Sequence, residues 1–209
     1  CEPDGKLIRV WDLHGAEPYL TSIALTDAHV YLADAGNREI VRHDYDGRMV
    51  DRFGKKGDSR HNPGFVLPSP YFKIVIGNDG SLTINNHGRH RIETYAPDGT
   101  FVSSWGKPSF SIDGFCGCCN PCWFDRLPDG RFVTSEKGLN RVKIYTADGA
   151  FQCVVAGAEQ LEAEADPFVA QALGNCRVGC AYDVAVDSKG TILILDPKHK
   201  LVRVFAAVA

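Results

Sequence analysis

The chain has 209 residues, 44% of them hydrophobic and 23% charged, and a formal net charge of −3. That length allows one sizeable core or two small ones. The balance excludes a global basic field of the kind that recruits nucleic acid, and no apolar run approaches the roughly 20 residues of a membrane-spanning helix.

Many glycines (21) against one methionine suit a fold of turns and strands better than a helical bundle. Eight cysteines are high for a cytosolic protein of this size. Either the chain meets an oxidising compartment or the thiols hold a metal. This favours a periplasmic or extracellular setting over the cytoplasm. Cys1 would suit the lipidated start of a bacterial lipoprotein; a processed or truncated start is the plainer reading.

Asp-Gly turns punctuate the chain at Asp4-Gly5, Asp46-Gly47, Asp98-Gly99 and Asp148-Gly149, with a second series at Asp79-Gly80 and Asp129-Gly130. The first series precedes strands of one kind: Lys6–Trp11, Arg48–Phe53, Thr100–Trp105 and Ala150–Val155. Asp-Gly between alternating apolar strands marks a hairpin, because glycine accepts the positive φ the turn needs. A period of roughly 40–50 residues with four strands per unit predicts an all-β propeller of about four blades.

In chain order, an N-terminal strand at 5–12 comes first. Blade 1 covers 20–56, blade 2 covers 66–107, blade 3 covers 115–157 and blade 4 covers 180–209. Blade 4 ends at the strand Leu201–Phe205 and lacks a fourth strand of its own. The spare first strand could supply it, the closure by which propellers hide sheet edges. Residues 158–175 break the repeat. Asp166 is a natural N-cap, Pro167 suits the first helical position and Gly174 can end the helix, so a short helical insertion is expected there.

Ala33-Asp34-Ala35-Gly36-Asn37-Arg38-Glu39-Ile40, followed by Asp44-Tyr45-Asp46-Gly47, resembles an NHL repeat. Glu136–Tyr145 and His87–Tyr95 are weaker copies. The resemblance, to bacterial NHL proteins that usually close with six blades, covers nearly the whole chain. Four units then form a fragment of a ring, a small closed ring, or an arc that partner chains complete. The resemblance implies a binding scaffold or, as in the amidating lyases, an enzyme. Those lyases bind zinc through histidines beside a catalytic tyrosine and arginine. His61, His87, His90 and His199 are the available histidines, without a motif match residue by residue.

Strand direction sorts the loops. The turns between first and second and between third and fourth strands share one face, which collects Asp46, Asp79, Asp98, Asp129, Asp148 and Asp187. The other face takes the turns between second and third strands and the loops between blades. It collects Arg38, Arg89, His90, Arg141, Lys198, His199 and Lys200. Of these, Arg89, His90, Arg141 and His199 are expected to form a cationic binding face for an anionic ligand or acidic protein partner. A solvated ring of turn residues is the alternative.

The same face receives Cys116, Cys118, Cys119, Cys122, Cys176 and Cys180. Cys116, Cys119 and Cys122 form C-x2-C-x2-C, the spacing of 4Fe–4S ligation in ferredoxins, with Cys180 or Cys176 as a remote fourth ligand. Zinc held by Cys119, Cys122, Cys176 and Cys180 is a second reading, and disulfides between adjacent blades a third. Cys118 is an extra thiol in the cluster pattern. The expected function is a non-catalytic propeller module with a cysteine-ligated metal, an iron–sulfur cluster for electron transfer in a larger assembly being one form. The alternatives are an extracytoplasmic interaction scaffold with disulfide-linked blades, and a metal-dependent lyase or hydrolase.

Overall fold

A computed structural model describes residues 4–12, 15–58, 60, 64–162 and 181–206. The Asp-Gly turns close hairpins as expected. Gly47, Gly99 and Gly149 have φ near +85° (+83, +84 and +87°), which an L side chain rarely adopts. Two of the turns are tightened by their own aspartate: the Oδ1 of Asp98 accepts from Thr100 N at 2.9 Å, and that of Asp129 from Arg131 N at 3.1 Å.

Blade 1 is the antiparallel sheet β1 (Leu20–Leu25), β2 (Val30–Asp34), β3 (Glu39–His43) and β4 (Met49–Phe53). Blade 2 is β5 (Ile74–Ile76), β6 (Leu82–Asn86), β7 (Arg91–Tyr95) and β8 (Phe101–Trp105). Blade 3 is β9 (Trp123–Arg126), β10 (Phe132–Glu136), β11 (Arg141–Tyr145) and β12 (Phe151–Ala156). Blade 4 holds three strands, β13 (Asp183–Val186), β14 (Ile192–Asp196) and β15 (Leu201–Phe205). First strands of neighbouring blades meet: β1 packs on β5, and β9 on β13. Lys73 of blade 2 reaches across to blade 4, its Nζ 2.9 Å from Val184 O and 3.2 Å from Asp183 Oδ1.

The core lies between blades. Tyr31, Ile40 and Phe53 of blade 1 pack with Phe72, Ile84 and Tyr95 of blade 2. Trp105 joins Phe115, Phe132 and Tyr145 between blades 2 and 3, while Val142, Ile144, Val184 and Ile194 join blades 3 and 4. One contact repeats along the arc. The aromatic ending the outer strand of blades 1 and 2 covers the turn glycine of the next blade: Phe53 on Gly99 and Trp105 on Gly149. A Cβ added at Gly149 would come within 2.3 Å of the Trp105 ring.

The N-terminal strand differs from expectation. Among the described residues, Lys6–Trp11 pairs with no strand, and β15 keeps an unpaired edge. Trp11 instead lies on Gly47 and stacks on His43 at 5.7 Å. It thus takes toward blade 1 the place that Phe53 takes toward blade 2. The aromatic-on-glycine contact, and not backbone pairing, fixes this segment. No hydrophobic cluster of described residues joins blade 4 to blade 1. The helix is α1 (Ala158–Glu162), which starts before the expected cap; Asp166, Pro167 and Gly174 lie outside the described residues.

Candidate functional site

The face opposite the Asp-Gly turns is built from one repeated device. The last residue of each second strand is Asp34, Asn86, Glu136 or Asp196, buried in every blade. In three blades its side chain accepts a backbone N–H from the loop entering that blade: Tyr19 N on Asp34 at 2.9 Å, Val66 N on Asn86 at 2.9 Å, Cys116 N on Glu136 at 3.4 Å. A residue with positive φ then precedes the third strand: Arg38, His90, Asn140 and Lys200. Side-chain acceptors satisfying loop donors make these loops rigid without regular secondary structure.

The cysteine loop is the most heavily pinned. Asn120 Nδ2 donates to Cys116 O at 2.5 Å and to Lys137 O at 2.9 Å, while its Oδ1 accepts from Lys137 N at 2.9 Å. From blade 2, Asn85 Nδ2 donates to Cys122 O at 2.8 Å and Pro121 O at 3.1 Å. Beneath the loop, Glu136 and Lys143 are fully buried with their groups 2.6 Å apart. Lys143 Nζ also donates to Gly114 O at 2.7 Å and Ile112 O at 3.0 Å. Burial pulls the Lys143 pKa down, against the attraction of Glu136. Arg141 closes the group with its Nε 2.8 Å from Glu136.

The cysteines divide by environment. Cys116, Cys119 and Cys122 are buried, and Cys118 is exposed. The Cys122 thiol donates to Cys119 O at 3.2 Å and to Asn120 Oδ1 at 3.1 Å, and burial pushes it up to about 12. Cys118 and Cys119 have their sulfurs 3.1 Å apart, and the hydrogen bond they share raises Cys118. Burial opposes the Lys137 charge, but Cys119 and the Tyr71 ring, 5.0 Å from its Nζ, more than offset that. Among the described residues no three His, Cys, Asp or Glu side chains gather as metal ligands. Among the described residues Cys116, Cys119 and Cys122 are thus not gathered as a set of metal ligands. Cys176 and Cys180 lie outside the described residues, as does His61.

The cationic face is partly corrected. Arg141 is buried in its ion pair with Glu136, so it is no rim cation. His199 is fixed through Nδ1 on Asp196 at 2.7 Å, a structural role. His90 ends the 3-10 turn His87–Arg89 and bonds Gly117 O, linking that turn to the cysteine loop. His87 is buried against Ser69 Oγ at 3.4 Å, and desolvation, then Lys137, lowers its pKa to about 4. Arg89 alone of the four turns toward a cleft, lined with Arg38, Lys55 and Lys56. On the turn face, a cavity of about 560 Å³ includes Asp79, Asp125 and Asp187, whose carboxylates are already spent on backbone N–H groups.

The loop 107–115 was not singled out by its residue types. Lys107 and Asp113 pair at 2.5 Å, Phe115 N donates to Lys107 O at 2.9 Å, and Ser109 N to Phe115 O at 2.9 Å. This closed loop presents Phe110 at 88% exposure and Ile112 at 42%.

The class this fold defines is the β-propeller. Among solved structures the chain is similar to a catalytically inactive virginiamycin B lyase from Staphylococcus aureus with quinupristin. The identity is 12% over 93% of this chain and 58% of that one, with a TM-score of 0.57. The computationally designed Ika4 protein matches at 9% identity over 97% of this chain and 100% of its own, TM-score 0.58. A protein of unknown function from Bacteroides thetaiotaomicron matches at 17% identity over 90% and 47%, TM-score 0.59. The chain spans 57% of a streptogramin B lyase and 58% of the virginiamycin B lyase. No family model matches, and no curated protein is similar in sequence. At these identities the likeness is one of fold.

Proposed function

We propose that the chain is an NHL-type propeller module that docks a protein partner on its loop face, without chemistry of its own. The observation that carries this is the pinned loop 107–115, which holds Phe110 almost wholly in solvent. An aromatic side chain on a pre-ordered loop loses little entropy on binding and buries a large area, the profile of an interface anchor. Ile112 stands beside it and Lys137 on the neighbouring turn, so an apolar patch with an acidic rim would complement the surface. The buried cysteines serve as packed side chains and loop donors in this reading. Sharing a propeller with the lyases carries no activity across, because function resides in sites and not folds.

The test is quantitative capture from a native extract by wild type and Phe110→Asp, with thermal melting of both. The exposed side chain makes no internal bond, so melting should not change, while partner recovery should fall at least tenfold. Equal recovery by the variant, or stoichiometric iron or zinc in the purified protein, would overturn the proposal.

A further inference from the structure

The geometry points to a second site: the cleft between blades 1 and 2 binds a phosphate monoester through Arg38, Lys56 and Arg89. The cleft encloses about 580 Å³ on the loop face, and Lys55, Phe65, Val66 and Asn37 complete its lining.

Charge is the first reason. Four cations converge on one cleft. Lys55 shares the buried Glu39 carboxylate with Arg52, each at 3.3 Å. Among the described residues, Arg38, Lys56 and Arg89 have no carboxylate partner. A solvated ring would spread such charges apart to lower their repulsion, yet here they are held together. A single carboxylate would leave most of that surplus unmet. A phosphate monoester brings close to two negative charges and three acceptor oxygens, which match guanidinium forks and an ammonium.

Pre-organisation is the second. Arg38 sits at φ +57° on a turn tied by Asn37 to Asp34, through Nδ2 at 2.7 Å and N at 3.1 Å. Lys55 and Lys56 lie on a turn closed by Asp58 N to Lys55 O at 3.0 Å. Arg89 leads into the left-handed His90, and its Nε leans on Gly64 O at 3.4 Å. The floor is fixed too. Val66 N donates to Asn86 Oδ1 at 2.9 Å, and Val66 O accepts from Gly88 N at 3.0 Å. The backbone cost of gathering these charges is therefore met during folding, which leaves less to be lost on binding.

The floor also suggests what the phosphate is attached to. Val66 is 38% exposed, above the buried ring of Phe65. An apolar ester group laid there would shed water while the phosphate faces the cations. Free phosphate would use the cations alone.

Titration calorimetry with phenyl phosphate, inorganic phosphate and phthalate on the whole chain tests this. Phenyl phosphate should saturate one site and bind more tightly than inorganic phosphate. Arg38→Gln, Lys56→Gln and Arg89→Gln should each weaken it about tenfold or more. Val66→Ala should bring phenyl phosphate and inorganic phosphate toward equal affinity. Lys200→Gln, on the same face in blade 4, should change nothing, and Phe110→Asp should leave binding intact. Among the described residues Lys56 makes no hydrogen bond or ion pair through its side chain, so its variant reads the site even if an arginine variant folds poorly. Absence of saturation, or equal weakening by Lys200→Gln, would show general charge attraction and overturn the site. Phthalate binding as tightly as phenyl phosphate would overturn the phosphate assignment.

Discussion

Lys143→Met is the sharpest probe of what holds the cysteine loop. The ammonium is fully buried and makes three contacts: Glu136 at 2.6 Å, Gly114 O at 2.7 Å and Ile112 O at 3.0 Å. Methionine keeps the stem's volume against Phe115 and Tyr145, whose rings lie 4.7 and 5.0 Å from Nζ. The substitution thus removes polar contacts with little cavity. Hydrogen bonds to a charged group contribute roughly 1.5–3 kcal/mol each, and relief from burying an ammonium offsets part of their loss. Glu136 keeps Arg141, while Ile112 O loses its partner and Gly114 O keeps only Arg141 at 3.5 Å. The net cost should be about 3 kcal/mol. For a chain of this length that lowers the melting temperature by roughly 6–12 °C. Urea denaturation measures the loss, and thiol titration with a chromogenic disulfide should show Cys116 reacting faster as the loop loosens. Arg131→Met on the turn face, whose partner Asp129 is solvent-exposed, should cost under about 1 kcal/mol. A Lys143→Met loss no larger than that, with thiol rates unchanged, would refute the reasoning.

Gly149→Ala should destabilise by about 3 kcal/mol, because left-handed strain of roughly 1–2 kcal/mol adds to overpacking against Trp105. Gly5→Ala has the same φ sign with open space around it and should show the strain alone; equal losses would exclude the aromatic contact. The buried His87 gives a pH signature. Its native pKa of about 4 lies below the ordinary 6.5, so as pH falls from 6.5 to 4 the unfolded chain takes up a proton that the native site resists. Stability present above pH 6.5 is lost through that window, by up to about 3 kcal/mol. Urea midpoints across pH should show the slope, and His87→Gln should remove that share of it; an unchanged slope would count against the assignment.

The blades were legible because hairpin turns and alternating strands are local signals, and the β15 bounds match the reading residue for residue. The face assignment followed from strand direction alone. What failed did so for non-local reasons. Arg141 looked like a rim cation, since its turn is on the correct face, but Glu136, opposite it on the adjacent strand, draws it inward. The C-x2-C-x2-C spacing is local and does not reveal what holds its loop. Asn120 and Asn85 hold the loop carbonyls, and Cys122 turns back to Cys119 O. A signal for the pins was present in the repeat. Asp34, Asn86, Glu136 and Asp196 share one position, and a polar residue ending a buried strand in every blade needs a partner.

That shared position also explains why we propose the loop face for binding. On the turn face Asp79, Asp98, Asp129 and Asp187 are consumed by their own tight turns, which leaves those turns little length to vary. On the loop face, one buried acceptor per blade fixes where a loop begins, and the chain beyond it is free to change. Blade 2 uses this freedom to set cations around a cleft floored by Val66. Blade 3 uses it to hold the thiol-bearing loop, with the Phe110 loop beside it. The anchor is constant while the cargo differs, so a substitution in a cargo residue should alter binding and spare the fold. Substitution at Asn86 or Glu136 should do both at once.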